Sequence, residues 1–128
     1  MARPPLLSPD AVTAALEGLP DWSGDTTGIE RTVTRIDFQR AAETIAELAA
    51  IAEELDHHPD VDVRWRTLRI FLVSHSAGGV TELDLEFARR VDDLFRPLHE
   101  TDPELAAHID RLFAEARARK AKRPDSGV

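Results

Sequence analysis

Pro59 separates two long apolar patterns of different period, and that change limits the folds open to the chain. Before it, Phe38, Ala41, Ala42, Ile45, Leu48, Ala49, Ala52 and Leu55 keep a helical stripe that Asp37 is placed to cap. The stripe must stop near His58, because a proline disfavours helical geometry in the residue before it. After it, Val61, Val63 and Trp65 alternate with Asp62, Arg64 and Arg66, the period of a strand with one wet face. From Leu68 to Val73 both faces turn apolar. One long strand over Val61 to Val73 is expected, its far end in the core or at a subunit contact.

The other elements follow from caps and turns. Ser8-Pro9-Asp10 opens a helix whose face is Val12, Ala15, Leu16 and Leu19 and which Gly18 and Pro20 end. Between Trp22 and Ile36, the turn-forming Gly24-Asp25-Thr26-Thr27-Gly28 and the β-branched residues after it predict a hairpin. Ala77-Gly78-Gly79 turns the chain, and Val80 begins a short strand or the entry to a helix. Thr81-Glu82-Leu83-Asp84 matches a capping box with Asp as the returning carboxylate, and Phe87, Val91, Leu94 and Phe95 continue that helix to Pro97. Thr101-Asp102-Pro103-Glu104 opens a last helix with Leu105, Ile109, Leu112 and Ala116 on one face. Its basic end, Arg117 to Arg123, is expected to fray into a disordered tail. The fold class is α+β: an antiparallel sheet of about four strands with helices packed on one face, plus an extra C-terminal helix. Domain boundaries are set at 1–98 for the layered domain and 99–128 for the helical extension.

Composition narrows the function classes. The 128 residues carry 24 acidic and 16 basic side chains, a net charge of -8, and phosphate backbones reward the opposite balance, so no nucleic-acid partner is expected. The basic run near the C-terminus reads as a solvated helix end. With 0 Cys there are no disulfides, zinc-thiolate sites, iron–sulfur clusters or thiol nucleophiles. No stretch approaches a signal core or a membrane span, so a cytoplasmic protein with no membrane partner is expected.

Of the histidines, His57, His58 and His75 stand out, while His99 and His108 read as surface residues. On a helix, adjacent side chains point about 100° apart, so His57 and His58 cannot comfortably share one metal. A metal hydrolase built on His57, His58 and His75 also lacks a convincing carboxylate ligand, and no metal site is expected.

The spacing is more informative. Glu53, three intervening residues, His57-His58-Pro59, then Trp65, His75 and Asp84 resembles the signature of the pterin-4a-carbinolamine dehydratases. Leu19-Pro20-Asp21-Trp22, Phe38 and Gly79-Val80-Thr81-Glu82-Leu83-Asp84 resemble further segments of that family, over about residues 8 to 97. The segment from about His99 has no counterpart in the short members. The resemblance implies the same α+β layer and dehydration of a 4a-hydroxytetrahydropterin to a quinonoid dihydropterin, supporting tetrahydropterin recycling with no metal or redox cofactor. It implies His57 and His75 as acid/base residues and His58 as a group that orients the pterin. Glu53, Trp65 and Asp84 are the implied substrate-binding positions. Each has a plainer reading as well: a helix-surface Glu, a core Trp, which is the favoured reading of Trp65, and the carboxylate of the capping box. The resemblance also implies a homodimer or dimer of dimers. A second function class is a dehydratase-like binding or assembly protein, with the segment beyond Pro97 facing the partner.

Overall fold

The computed structural model describes residues 3–95 and 103–122. The chain divides into two compact units, Met1–Leu94 and Phe95–Val128. The boundary expected between residues 98 and 99 lies outside the described residues, as do His99, Pro97, Thr101 and the tail from Arg123.

The first unit begins with α1 (Pro9–Glu17), where the Ser8 side chain accepts from the Ala11 N–H and Gly18 closes the helix. The hairpin of β1 (Trp22–Asp25) and β2 (Gly28–Thr34) follows. Both the hydroxyl and the N–H of Thr27 donate to Asp25, which holds that carboxyl below its usual range. Asp37 caps α2 (Phe38–Leu55) by accepting from the Arg40 N–H. The remaining elements are β3 (Asp60–Arg64), β4 (Thr67–Leu72) and α3 (Glu82–Leu94). All three strand pairings are antiparallel, in the order β1-β2-β4-β3.

Burial follows the strand period. In central β4, Leu68, Ile70 and Leu72 are wholly buried with Ile29 of β2, while Thr67, Arg69 and Phe71 are half-buried on the other face. The helices cover the first face, α1 against β1, α3 against β4 and α2 against α3. Trp22 extends this layer: its ring is buried, and its indole N–H donates to Asp92 of α3 at 2.8 Å. The opposite face is polar, with Arg69 paired to Glu30 and lying over the Phe71 ring. A Cβ at position 28 would sit 2.1 Å from Phe71 Cζ, so the glycine there leaves room for that ring.

Three expectations need correction. First, the single strand over Val61 to Val73 is two strands. Trp65 takes a left-handed φ of 53° and, with Arg66, turns the chain back on itself. The reason is parity. Val61 lies opposite Ile70 and Val63 opposite Leu68, so odd positions of β3 share a face with even positions of β4. A continuous strand would send odd and even positions to opposite faces.

Second, of the two readings of Val80 the short strand fails and the entry to a helix holds, since α3 begins at Glu82. The Val80 N–H donates to Thr26 O and its carbonyl accepts from the Leu7 N–H, which leaves the isolated Ser74–Gly79 bridge as the only pairing of that turn among the described residues. Third, Phe38 is 72% exposed, and the packed stripe of α2 is Ala41, Thr44, Leu48, Ile51 and Ala52. Thr44 can be buried there because its hydroxyl donates to Arg40 O at 2.8 Å.

The second unit contains α4 (Pro103–Lys122), which runs unbroken through Arg117, Arg119 and Lys120. Ile109, Phe113 and Ala116 are half-buried positions on it, while His108 and Leu112 are exposed.

This burial pattern gives a direct contrast. Ile70→Ala is expected to lower stability by about 2–5 kcal/mol, and Phe38→Ser to change it by less than about 0.5 kcal/mol. Urea unfolding of the two variants checks both values.

Candidate functional site

The site forms where α2 ends, β4 ends and α3 begins. Leu55 is the last residue of α2, and Asp56 takes a left-handed conformation with its N–H on the Ala52 and Glu53 carbonyls. The His57 N–H also returns to Ala52 O, at 3.1 Å. This cap turns the chain so that His57 is buried while His58 stays exposed. At the end of β4, the Ser74 carbonyl accepts from the N–H groups of Ala77, Gly78 and Gly79, and the Ser74 N–H donates to Gly79 O. That tight turn presents His75, whose side chain is exposed, with Nε2 3.8 Å from Asp60 Oδ2.

Asp84 joins these pieces. It is wholly buried in the first turn of α3. Its Oδ2 accepts from the Thr81 N–H at 2.8 Å and from Ser74 Oγ at 2.9 Å, and its Oδ1 lies 2.6 Å from His57 Nε2. Asp84 therefore serves the capping box with one oxygen and the histidine with the other. An ionised carboxylate only accepts. His57 then carries its proton on Nε2 and keeps Nδ1 for the cleft that it lines. The Phe87 ring meets the imidazole edge-on, with centroids 6.3 Å apart.

The cleft has a volume of about 200 Å³. His57, His58 and His75 line it, with Ser74, Ser76 and Thr81 beside them and Pro4, Val73, Ala77 and Leu83 as apolar walls. Arg3 reaches it from the N-terminal arm and holds the Asp56 carbonyl and carboxylate at 3.0 and 3.1 Å. An imidazole fixed by a carboxylate on one nitrogen and open on the other can take or give a proton. No group of three or more His, Cys, Asp or Glu among the described residues is arranged to hold a metal.

The structure thus brings His57, His58 and His75 to one cleft and separates the three expected substrate-binding residues from it. Asp84 lies behind His57, and its carboxylate oxygens are engaged by protein groups, so it holds the histidine rather than a ligand. Glu53 is exposed on α2 outside the lining. Trp65 is neither core nor cleft: it is 87% exposed at the β3–β4 turn, the far end of that hairpin from His75. Sequence reasoning missed Ser74, Arg3 and Asp56. For Ser74 a signal existed, its place next to His75 at the end of an apolar strand; for Arg3, in a proline-containing arm, there was none.

Comparisons with known proteins place the chain in a family. The family model for pterin 4 alpha carbinolamine dehydratase matches residues 5–94. A protein of Nocardia farcinica provisionally named as that dehydratase is 44% identical over 91 residues, 71% of this chain and 96% of the relative. One of Mycobacteroides abscessus with the same provisional name is 42% identical, over 68% of this chain and 93% of its own. A crystal structure from Brucella melitensis, described as a transcriptional coactivator/pterin dehydratase, matches with a TM-score of 0.64 at 34% identity, over 68% of this chain and 95% of that one. Fold and matches define an α+β hydro-lyase. The chain belongs to the pterin-4-alpha-carbinolamine dehydratase family. No helix among the described residues is long and apolar enough to cross a membrane.

Asp84→Asn places an amide N–H against groups that already donate. It is expected to lower stability by about 1–3 kcal/mol, whereas Glu53→Gln stays within about 0.5 kcal/mol. Thermal and urea unfolding of both variants measure the difference; equal effects would contradict the assigned hydrogen bonds.

Proposed function

We propose that this chain is a cytoplasmic enzyme that dehydrates a 4a-hydroxytetrahydropterin by histidine acid/base catalysis, without a metal or redox cofactor, in the recycling of a tetrahydropterin. The observation that carries the reading is the buried Asp84–His57 pair in a cleft that His58 and His75 also line. In this reaction the C4a–O bond breaks as the oxygen takes a proton and leaves as water. The neighbouring ring nitrogen gives up its N–H proton, and its electron pair becomes the new C=N bond.

His57 suits removal of the nitrogen proton, through Nδ1. Asp84 compensates the positive charge that then forms on the ring and holds the ring in place beforehand. His75, exposed and near Asp60, suits delivery of the proton to the departing hydroxyl. His58 hydrogen-bonds the pterin. The assay follows freshly generated 4a-hydroxytetrahydropterin by ultraviolet absorbance, with spontaneous dehydration subtracted. His57→Ala and His75→Ala are each expected to lose about 10²–10⁴-fold of the acceleration. Folded wild type that matches the blank would overturn the enzyme reading.

The same proposal includes a homodimer or dimer of dimers. Edge strand β3 supports it, because antiparallel pairing of two copies about Asp62 sets Asp60 of one against Arg64 of the other. Arg69, opposite Asp62 in the register with β4, offsets the meeting of the two Asp62 carboxylates. In that arrangement the exposed Trp65 of one copy falls beside the His58–Pro59 corner of the other, where a stacking aromatic would serve the pterin. Light scattering of wild type is expected to give at least a dimer and Arg64→Asp a monomer, with a higher KM for Trp65→Ala; a monomeric wild type removes the dimer and the role of Trp65.

A second reading has support in the Brucella melitensis protein, whose description pairs the dehydratase name with a coactivator role. A dehydratase-like binding or assembly protein, with the segment after Pro97 facing its partner, is the reading left if wild type is inactive.

A further inference from the structure

We infer that Ser74 is a positioning residue for His57, acting through Asp84; its catalytic consequence rests on the acid/base reading of the cleft. The direction of the hydrogen bonds carries the inference. The Leu83 N–H can only donate, and it donates to Thr81 Oγ1 at 3.2 Å. Thr81 Oγ1 and Ser74 Oγ are 2.8 Å apart, and Ser74 Oγ is 2.9 Å from Asp84 Oδ2. The carboxylate accepts the Ser74 proton, so the Thr81 proton goes to Ser74. The chain runs one way: Leu83 N–H to Thr81, Thr81 to Ser74, Ser74 to Asp84.

Asp84 meets His57 at the end of that chain with nothing but acceptor capacity left. The proton between them belongs to His57 Nε2. Ser74, Thr81 and Asp84 are all buried, so bulk water does not compete for these bonds. Without the Ser74 hydroxyl, Oδ2 keeps only the Thr81 N–H. The carboxylate is then held less firmly, the aim of Oδ1 at Nε2 weakens, and the other tautomer of His57 becomes accessible. The Ser74 carbonyl meanwhile closes the turn behind His75. One residue therefore sets the geometry of both histidines, by its side chain for His57 and by its main chain for His75.

The test combines the tautomer of His57 in its neutral form, read by ¹⁵N NMR, with kcat and KM for wild type, Ser74→Ala and Ser74→Thr. Wild type and Ser74→Thr are expected to hold the Nε2–H form. Ser74→Ala is expected to add the Nδ1–H form and to lose about 10- to 100-fold in kcat, with little change in KM. If Ser74→Ala does not fold, Ser74→Cys, with its weak donor, is read the same way. A folded Ser74→Ala with the wild-type tautomer overturns the inference, and so does a Ser74→Thr that fails as badly as Ser74→Ala. Should wild type show no dehydration, the tautomer shift in Ser74→Ala still sustains the positioning role while the catalytic reading fails.

Discussion

The arrangement of this molecule depends on one buried carboxylate. Asp84 is wholly enclosed, which is costly for a charge unless donors surround it. Three do: a backbone N–H at the start of α3, a serine at the end of β4 and a histidine just past α2. The contact that starts a helix is therefore also the contact that ties three elements together. Local capping, tertiary packing and the orientation of the His57 imidazole are a single interaction.

The sheet and its helices place that knot. Leu68, Ile70 and Leu72 anchor β4 in the core, so Ser74 and His75 emerge at a defined point beyond its end. The left-handed cap at Asp56 does the same for His57, and Arg3 braces that cap from the N-terminal arm. At the opposite end of the hairpin, Trp65 holds a left-handed backbone while remaining exposed. That conformation makes the tight β3–β4 turn, at a cost for a bulky residue that no burial of the ring offsets.

The sequence was legible where a local rule has one outcome. Ser8, Asp37 and Thr81 cap their helices as patterned, and the turn at 24–28 makes its hairpin. The three histidines of the signature reach one cleft. It was not legible where apolarity hid phase. The run from Val61 to Val73 looks continuous, and only the change from odd to even positions on the helix-covered face marks the turn at Trp65 and Arg66. Asp84 was ambiguous for a physical reason: a capping box explains its position completely, and nothing local shows that the second oxygen serves a histidine 27 residues away. The exposure of Phe38 depends on where α2 meets its neighbours, which one helix's periodicity does not encode.

The most direct test of the central claim is a crystal structure with a stable, unreactive pterin bound. The expected result is the ring in the cleft between His57 and His75, with His57 Nδ1 within hydrogen-bond distance of the ring and Nε2 still on Asp84. A pterin bound elsewhere, or a His57 that has left Asp84 and presents Nε2 to the ring, would contradict it.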